Sequence, residues 1–324
     1  MLAAGGADAA QTLETPYRTN GAMVQAAFES VRGVLQTSSA VFQRGRDEVV
    51  YGTVISPEGH ILTKASELGE IDGLTVVVGN KVYKSPVKLA EDVSWDVALV
   101  KIDAVGLTPV SLAVDLPDPE RGTWVVANGA TTLTRRRPQV GIVAANAREI
   151  PPEGGPVLGL SFEEKRGKLV VTEVHQGSGA EVAGVASGDV LVRIDGGDVK
   201  KPEDLKEVIG KHRVGDEIVL SVVRKKKPLD LKVRLKGRSD VFERELTRND
   251  MMSGDFSERR SGFPRVIQHD IVANAAGMGG PVLDLDGRCL GMNIARATRC
   301  ETFAIPAGDL RGLADRLLQQ AVAK

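Results

Sequence analysis

Few side chains in this sequence of 324 residues could carry covalent chemistry. The histidines are His60, His175, His212 and His269, and the cysteines are Cys289 and Cys300. They lack the short paired spacings that zinc requires. No glycine loop followed by Lys-Ser/Thr offers a phosphate cradle. The expectation is therefore no metal site and no cofactor. The most distinctive run is Asp270-Ile271-Val272-Ala273-Asn274-Ala275-Ala276-Gly277-Met278-Gly279-Gly280-Pro281-Val282. Its centre is Met278, and a thioether has no ionisable proton for a base to remove. Cys289 and Cys300 flank an expected hairpin around Arg296-Ala297-Thr298-Arg299. That registry sets Cys300 opposite about Ala295, some ~17–20 Å along the strand from Cys289. A disulfide needs Cα atoms within about 7 Å, so two free thiols are expected.

The elements around these residues are mostly short strands. Hydrophobic residues make up 42%, aromatics only 4%, and 36 glycines suit a turn-rich β protein. Val49–Ile55, His60–Thr63, Leu74–Val78, Val82–Leu89, Val97–Ile102, Trp124–Ala127 and Val140–Ala145 have strand patterning. Residues 23–36 start with helical spacing and end strand-like. Ala307 to about Val322 forms an amphipathic helix with a stripe of Leu310, Leu313, Leu317 and Leu318. The net charge of −1 supplies no field for nucleic acid or an anionic membrane. The runs Arg135-Arg136-Arg137 and Lys225-Lys226-Lys227 read as solvated loop tips. No stretch reaches the ~18 apolar residues of a membrane span. Met1 to Thr12 lacks the basic start and apolar core of an intact signal peptide.

Three blocks in order resemble the HtrA (Do-like) family, whose members combine a trypsin-fold double β-barrel with PDZ modules. They are Gly52-Thr53-Val54-Ile55-Ser56-Pro57-Glu58-Gly59-His60-Ile61-Leu62-Thr63, Trp95-Asp96-Val97-Ala98-Leu99-Val100-Lys101-Ile102-Asp103, and the Met278 run with Cys289–Ala295 and Phe303–Pro306 behind it. The resemblance puts the family's catalytic histidine on Ser66, its aspartate on Asp96 and its serine on Met278. Its two oxyanion-hole N–H groups fall near Ala276 and Met278, where any residue but proline could supply them. A damaged triad of this kind implies no acyl-enzyme route. Ser66 then reads as a space-filling polar residue, and the four histidines as surface or hydrogen-bonded structural groups.

The stretch 155–237 resembles a bacterial PDZ module. Val157-Leu158-Gly159-Leu160 matches its carboxylate-binding loop and first groove strand, and Gly177–Leu191 its most recognisable run. In such a module loop N–H groups bind a C-terminal carboxylate and a strand edge pairs with an extended peptide. The implied peptide-binding residues are Leu158, Gly159 and Leu160 with Leu205, Val208 and Ile209 on the facing helix.

The expected fold is mainly β: a trypsin-like double β-barrel with an inserted α+β PDZ domain. The expected organisation is a flexible arm over 1–20, the first barrel and the start of the second over 21–150, and the PDZ domain over 151–237. A charged loop follows over 238–262, and the rest of the second barrel and a helix occupy 263–324. The expected function is a non-catalytic protein binding peptides or protein C-termini through the PDZ groove, in the periplasm or secreted. Its further expected partners are copies of itself or a homologous protease. Two alternatives stay open: an active serine endopeptidase with atypical residues, and a structural subunit of an active homologue.

Overall fold

The computed structural model describes residues 14–18, 21–132, 135–165, 167–238, 241–242 and 255–322. Most of the expected lead-in, the stretch 243–254 and the side chains of Arg135, Arg136 and Arg137 lie outside the described residues. The chain forms two compact units. The first comprises Met1–Arg148, Ser253–Arg260 and Arg265–Lys324, and the second Glu149–Met252 and Ser261–Pro264.

The first unit begins with helices Ala22–Ala27 and Glu29–Ser38. Helix continues where a strand-like end was expected, because Val31 and Leu35, four residues apart, share one buried face against Val110, Val126 and Leu283. Seven antiparallel strands follow: β1 (Ser39–Arg44), β2 (Asp47–Val54), β3 (His60–Lys64), β4 (Thr75–Val78), β5 (Lys81–Lys84), β6 (Val87–Asp92) and β7 (Val97–Lys101). Their order is β5-β4-β1-β2-β3-β7-β6. The single strand expected over 82–89 is broken at Ser85, which is left-handed at φ 54°, and at Pro86, which has no N–H for a ladder. Alternate residues of these strands, among them Phe42, Val50, Ile61, Val76, Ala98 and Val100, fill one core.

Strands β8 (Trp124–Thr132) and β9 (Arg135–Ile150) open a second β body, which the chain then leaves. The second unit contributes β10 (Pro156–Val157), β11 (Leu160–Lys165), β12 (Lys168–Val174), β13 (Val190–Ile194), β14 (Gly197–Asp198), β15 (Glu217–Arg224), β16 (Lys227–Arg234) and β17 (Lys236–Gly237). Its sheet runs β11-β12-β13-β15-β16, with β14 on β13 and a separate β10-β17 pair. Helix Pro202–Ile209 starts with proline, whose missing N–H would be unpaired there anyway, and Asp204 accepts hydrogen bonds from the N–H groups of Lys200 and Lys201 at 3.0 and 3.1 Å. The buried Asp189 carboxylate receives both Nε and Nη2 of Arg224 at 2.7 Å, which fixes the loop before β13.

The chain returns as β18 (Phe263–His269), β19 (Pro281–Leu283), β20 (Cys289–Arg296) and β21 (Thr302–Pro306). These close a barrel with β8 and β9 in the order β18-β21-β20-β19-β8-β9. In the β20–β21 hairpin Ala295 faces Phe303, whereas Cys300 sits exposed in the turn. The expected Cys300–Ala295 pairing is corrected by that longer turn. Both thiols are free, and burial pushes that of Cys289 up to about 12. Helix Ala307–Val322 buries Leu310, Leu313, Ala314 and Leu317, and Leu318 lies on the rim of the stripe. Arg265 anchors its first turn by donating to Asp309 at 2.6 Å while also pairing with Asp118.

Candidate functional site

Strand β3 ends at Lys64 and one helical turn, Ala65–Leu68, follows it. Asp96 precedes β7 in a left-handed conformation at φ 59°, which suits a short polar side chain. This geometry brings Ser66 and Asp96 together. Asp96 Oδ1 accepts the Ser66 N–H at 2.8 Å, and Oδ2 accepts the Ser66 hydroxyl at 2.8 Å. Lys64 Nζ also donates to Oδ2, and it donates to the carbonyl of Arg259 at 3.0 Å. The Lys64 side chain is 0% exposed. Burial pulls its ammonium below the usual lysine value, and the Asp96 charge opposes that.

A carboxylate in this state is a poor general base. Its lone pairs are spent on an ammonium, an amide and the hydroxyl itself. Lys64 is a residue of this cluster that the motifs do not flag. Its one signal in the sequence is its place at the close of a strand whose preceding residues Ile61, Leu62 and Thr63 are all buried.

The Met278 segment is packed into the same unit. Met278 is 0% exposed. Asn274 caps a 3₁₀ turn over Ala275–Gly277 by accepting the Gly277 N–H at 2.9 Å. The Met278 N–H donates to the Ala275 carbonyl at 3.1 Å, so this expected oxyanion-hole donor is already committed. The Met278 carbonyl accepts from the Tyr51 N–H at 2.9 Å, and the Gly279 carbonyl from Thr53 Oγ1 at 2.8 Å. Gly279 has φ 82°, and a Cβ there would meet the Tyr51 carbonyl oxygen at 2.1 Å, so only glycine fits. The Gly-Gly of the motif thus seats this turn on β2.

Each histidine has a partner of its own. His60 Nδ1 pairs with Ser56 Oγ at 2.8 Å, His175 Nε2 with Ser161 Oγ at 2.9 Å, and His212 lies 3.3 Å from Asp195. His269 is fully buried; its Nδ1 accepts the Ile271 N–H at 3.3 Å and its Nε2 faces Asn293 Oδ1 at 2.7 Å. Asn293 in turn receives the Gly279 N–H on its carbonyl at 2.7 Å, so this pair supports the Met278 turn from behind.

Burial lowers the His269 pKa from 6.5 to about 4. Below pH 6.5 the unfolded chain takes up a proton that the folded chain refuses. Stability from this residue is therefore complete above pH 6.5 and falls as pH drops toward 4. The expected loss is about 3 kcal/mol between those limits. Urea unfolding at pH 7 and pH 5 checks this, with His269→Gln expected to flatten the slope. Equal slopes in both proteins would exclude His269 as the source.

In the second unit, Leu158 is 3% and Leu205 9% exposed, and both lie in the core. Leu160, Val208 and Ile209 are half-buried against that core. Phe162, two residues beyond Leu160 on the same strand, joins them there although no motif marks it. Gly159 has φ 75°, and a Cβ there would sit 2.2 Å from Ser178 Cβ. Ser178 is fully buried and caps the next helix by accepting the Glu181 N–H at 3.1 Å. Among the described residues strand β11 pairs with β12 alone and is an edge of its sheet.

Residues 156–235 match the PDZ domain family model. The chain is 34% identical over 135 residues to the serine protease Do-like HtrA of Lactobacillus helveticus, covering 41% of this chain and 32% of that protein. It is 23% identical over 300 residues to a probable periplasmic serine endoprotease DegP-like of Pseudomonas fulva, covering 68% of this chain and 62% of that protein. The match spans less than two thirds of either relative. The crystal structure of a serine endoprotease from Yersinia pestis aligns with TM-score 0.35 and 16% identity over 65% of this chain and 97% of that one. The order of the three sequence blocks, the β bodies that carry them and the PDZ match agree: the chain is similar to HtrA-type serine proteases and contains a PDZ domain.

Proposed function

We propose that the protein is a non-catalytic HtrA-type protein that binds peptides or protein C-termini at its PDZ groove. The observation that carries this is the edge position of β11, directly after the Gly159 loop. An edge strand presents unpaired N–H and C=O groups on which an extended peptide can add as a further strand. Leu160, Phe162, Val208 and Ile209 supply partly exposed apolar surface for a terminal side chain. In the first unit, by contrast, Met278 is buried and the Ser66 hydroxyl is bonded to a carboxylate that also receives Lys64 Nζ. The place of work is the periplasm or the exterior, in keeping with the DegP-like relatives named as periplasmic. Among the described residues no helix is long and apolar enough to cross a membrane.

The test is a library of peptides with free C-termini, read by fluorescence anisotropy. Peptides ending in an apolar residue are expected to bind with modest affinity. Ile209→Asp is expected to abolish that binding, because it places a charge in the apolar pocket. Met278→Ala leaves it unchanged. Absence of any binder at high-micromolar peptide would overturn the proposal.

A further inference from the structure

Residues Asp255–Arg260, read Asp-Phe-Ser-Glu-Arg-Arg, belong to the polar stretch expected to be a loop. They form no helix or strand, yet Ser257 is 0% and Arg260 7% exposed. Their contacts fall on both β bodies of the first unit. Toward the β20–β21 hairpin, the Ser257 N–H donates to the Arg296 carbonyl at 3.1 Å, and Ser257 Oγ accepts the Arg296 N–H at 3.0 Å. Arg296 Nη1 donates to the Asp255 carbonyl at 2.8 Å, and Arg260 Nη1 to the Ala297 carbonyl at 3.0 Å. Toward the first sheet, the Glu258 N–H donates to Glu67 Oε1 at 2.9 Å. The Arg259 carbonyl accepts Lys64 Nζ, and the Arg259 guanidinium donates to the carbonyls of Val93 and Ser94.

We infer that Lys64, Glu67 and the Val93–Ser94 carbonyls, with Arg296–Ala297 opposite, form a second peptide-binding site that Asp255–Arg260 fills in cis. The geometry is that of a bound peptide. Backbone outside any helix or strand is matched amide to carbonyl on one side, and two arginines are read by carbonyl acceptors on both sides. Its one aromatic, Phe256, is half-buried and stacked under its own Arg260, 4.0 Å from the ring centre. Polar, directional contacts of this kind open at lower cost than a packed strand. The ligand class the site takes is therefore a peptide with adjacent arginines after a serine. This inference does not depend on peptide binding at the PDZ groove.

The test uses the full chain. Hydrogen exchange on the wild type is expected to find the Ser257 and Glu258 amides protected. In Arg259→Ala/Arg260→Ala, protection there is lost while β2 and β20 stay protected. A labelled peptide Asp-Phe-Ser-Glu-Arg-Arg is then expected to bind this variant at least roughly tenfold more tightly than the wild type. In the wild type the tethered segment competes at high effective concentration. Unprotected Ser257 and Glu258 amides in the wild type would overturn the inference. So would equal binding of the peptide to both proteins, or of a scrambled peptide to the variant. If the double variant fails to unfold cooperatively, Arg259→Lys keeps the charge but loses the forked donor pair. It is expected to raise exchange at Glu258 alone, and unchanged exchange there overturns the inference.

Discussion

Asp96→Asn is expected to destabilise the protein by about 3–5 kcal/mol, the cost of removing one partner of a buried ion pair. Asparagine keeps the shape and tolerates the left-handed backbone at φ 59°. The loss is therefore the charge opposite Lys64 Nζ, on a side chain with 0% exposure. Replacing the pair together is a different case. Lys64→Met/Asp96→Asn removes both charges and leaves an apolar stem beside a neutral amide that still receives the Ser66 N–H. The double variant is expected to be more stable than the sum of the two single losses by at least about 2 kcal/mol. Denaturant unfolding of the four proteins gives the coupling directly. Additive losses would mean that Lys64 and Asp96 do not share one energetic unit. In that case Asp96 is held by the Ser66 amide and hydroxyl alone.

The β bodies and the PDZ module are legible in the sequence because their signals are local. The short apolar runs of β3 and β7, the Pro57-Glu58-Gly59 turn and the Gly-Gly-Pro after Met278 each act over a few residues. The Ser66–Asp96 meeting is legible only through a resemblance, since nothing in their 30-residue separation requires it. Contacts made by polar side chains across long separations leave no such mark. Lys64 reads as a strand end, and only its Asp96 partner explains why it tolerates full burial. Residues 255–260 read as part of a charged loop, and nothing local shows that their donors reach carbonyls of the β20–β21 hairpin, the Val93–Ser94 carbonyls and the Glu67 carboxylate. The end of 23–36 is ambiguous by pattern because valine and leucine serve strand and helix equally. Docking of Val31 and Leu35 on one face decides it.

Ser66→His with Met278→Ser is expected to leave the protein without protease activity, although it restores all three side-chain types of a serine-protease triad. Three features block it. Asp96 is engaged by Lys64, so it is not free to orient an imidazole. The Met278 N–H is bonded to the Ala275 carbonyl and does not point at a substrate oxygen. Residues 258 and 259 are bonded to Glu67 and Lys64, on either side of Ser66. At the two matched positions the wild type has Ser66 and Met278, and in subtilisin loss of the histidine or the serine alone lowers turnover by roughly 10⁶. Casein hydrolysis and fluorophosphonate labelling, read by intact mass, are the measurements, and neither protein is expected to react. Stoichiometric labelling of the wild type would refute the non-catalytic reading. Labelling of the double variant alone would locate the defect in the two side chains and remove the argument from the closed oxyanion turn. Adding Lys64→Asn to the double variant frees Asp96 but leaves the Ala275–Met278 bond in place. This triple variant is also expected to stay inactive, because the turn that holds Met278 is fixed by Asn274, Tyr51 and the glycine at 279 rather than by the charge pair.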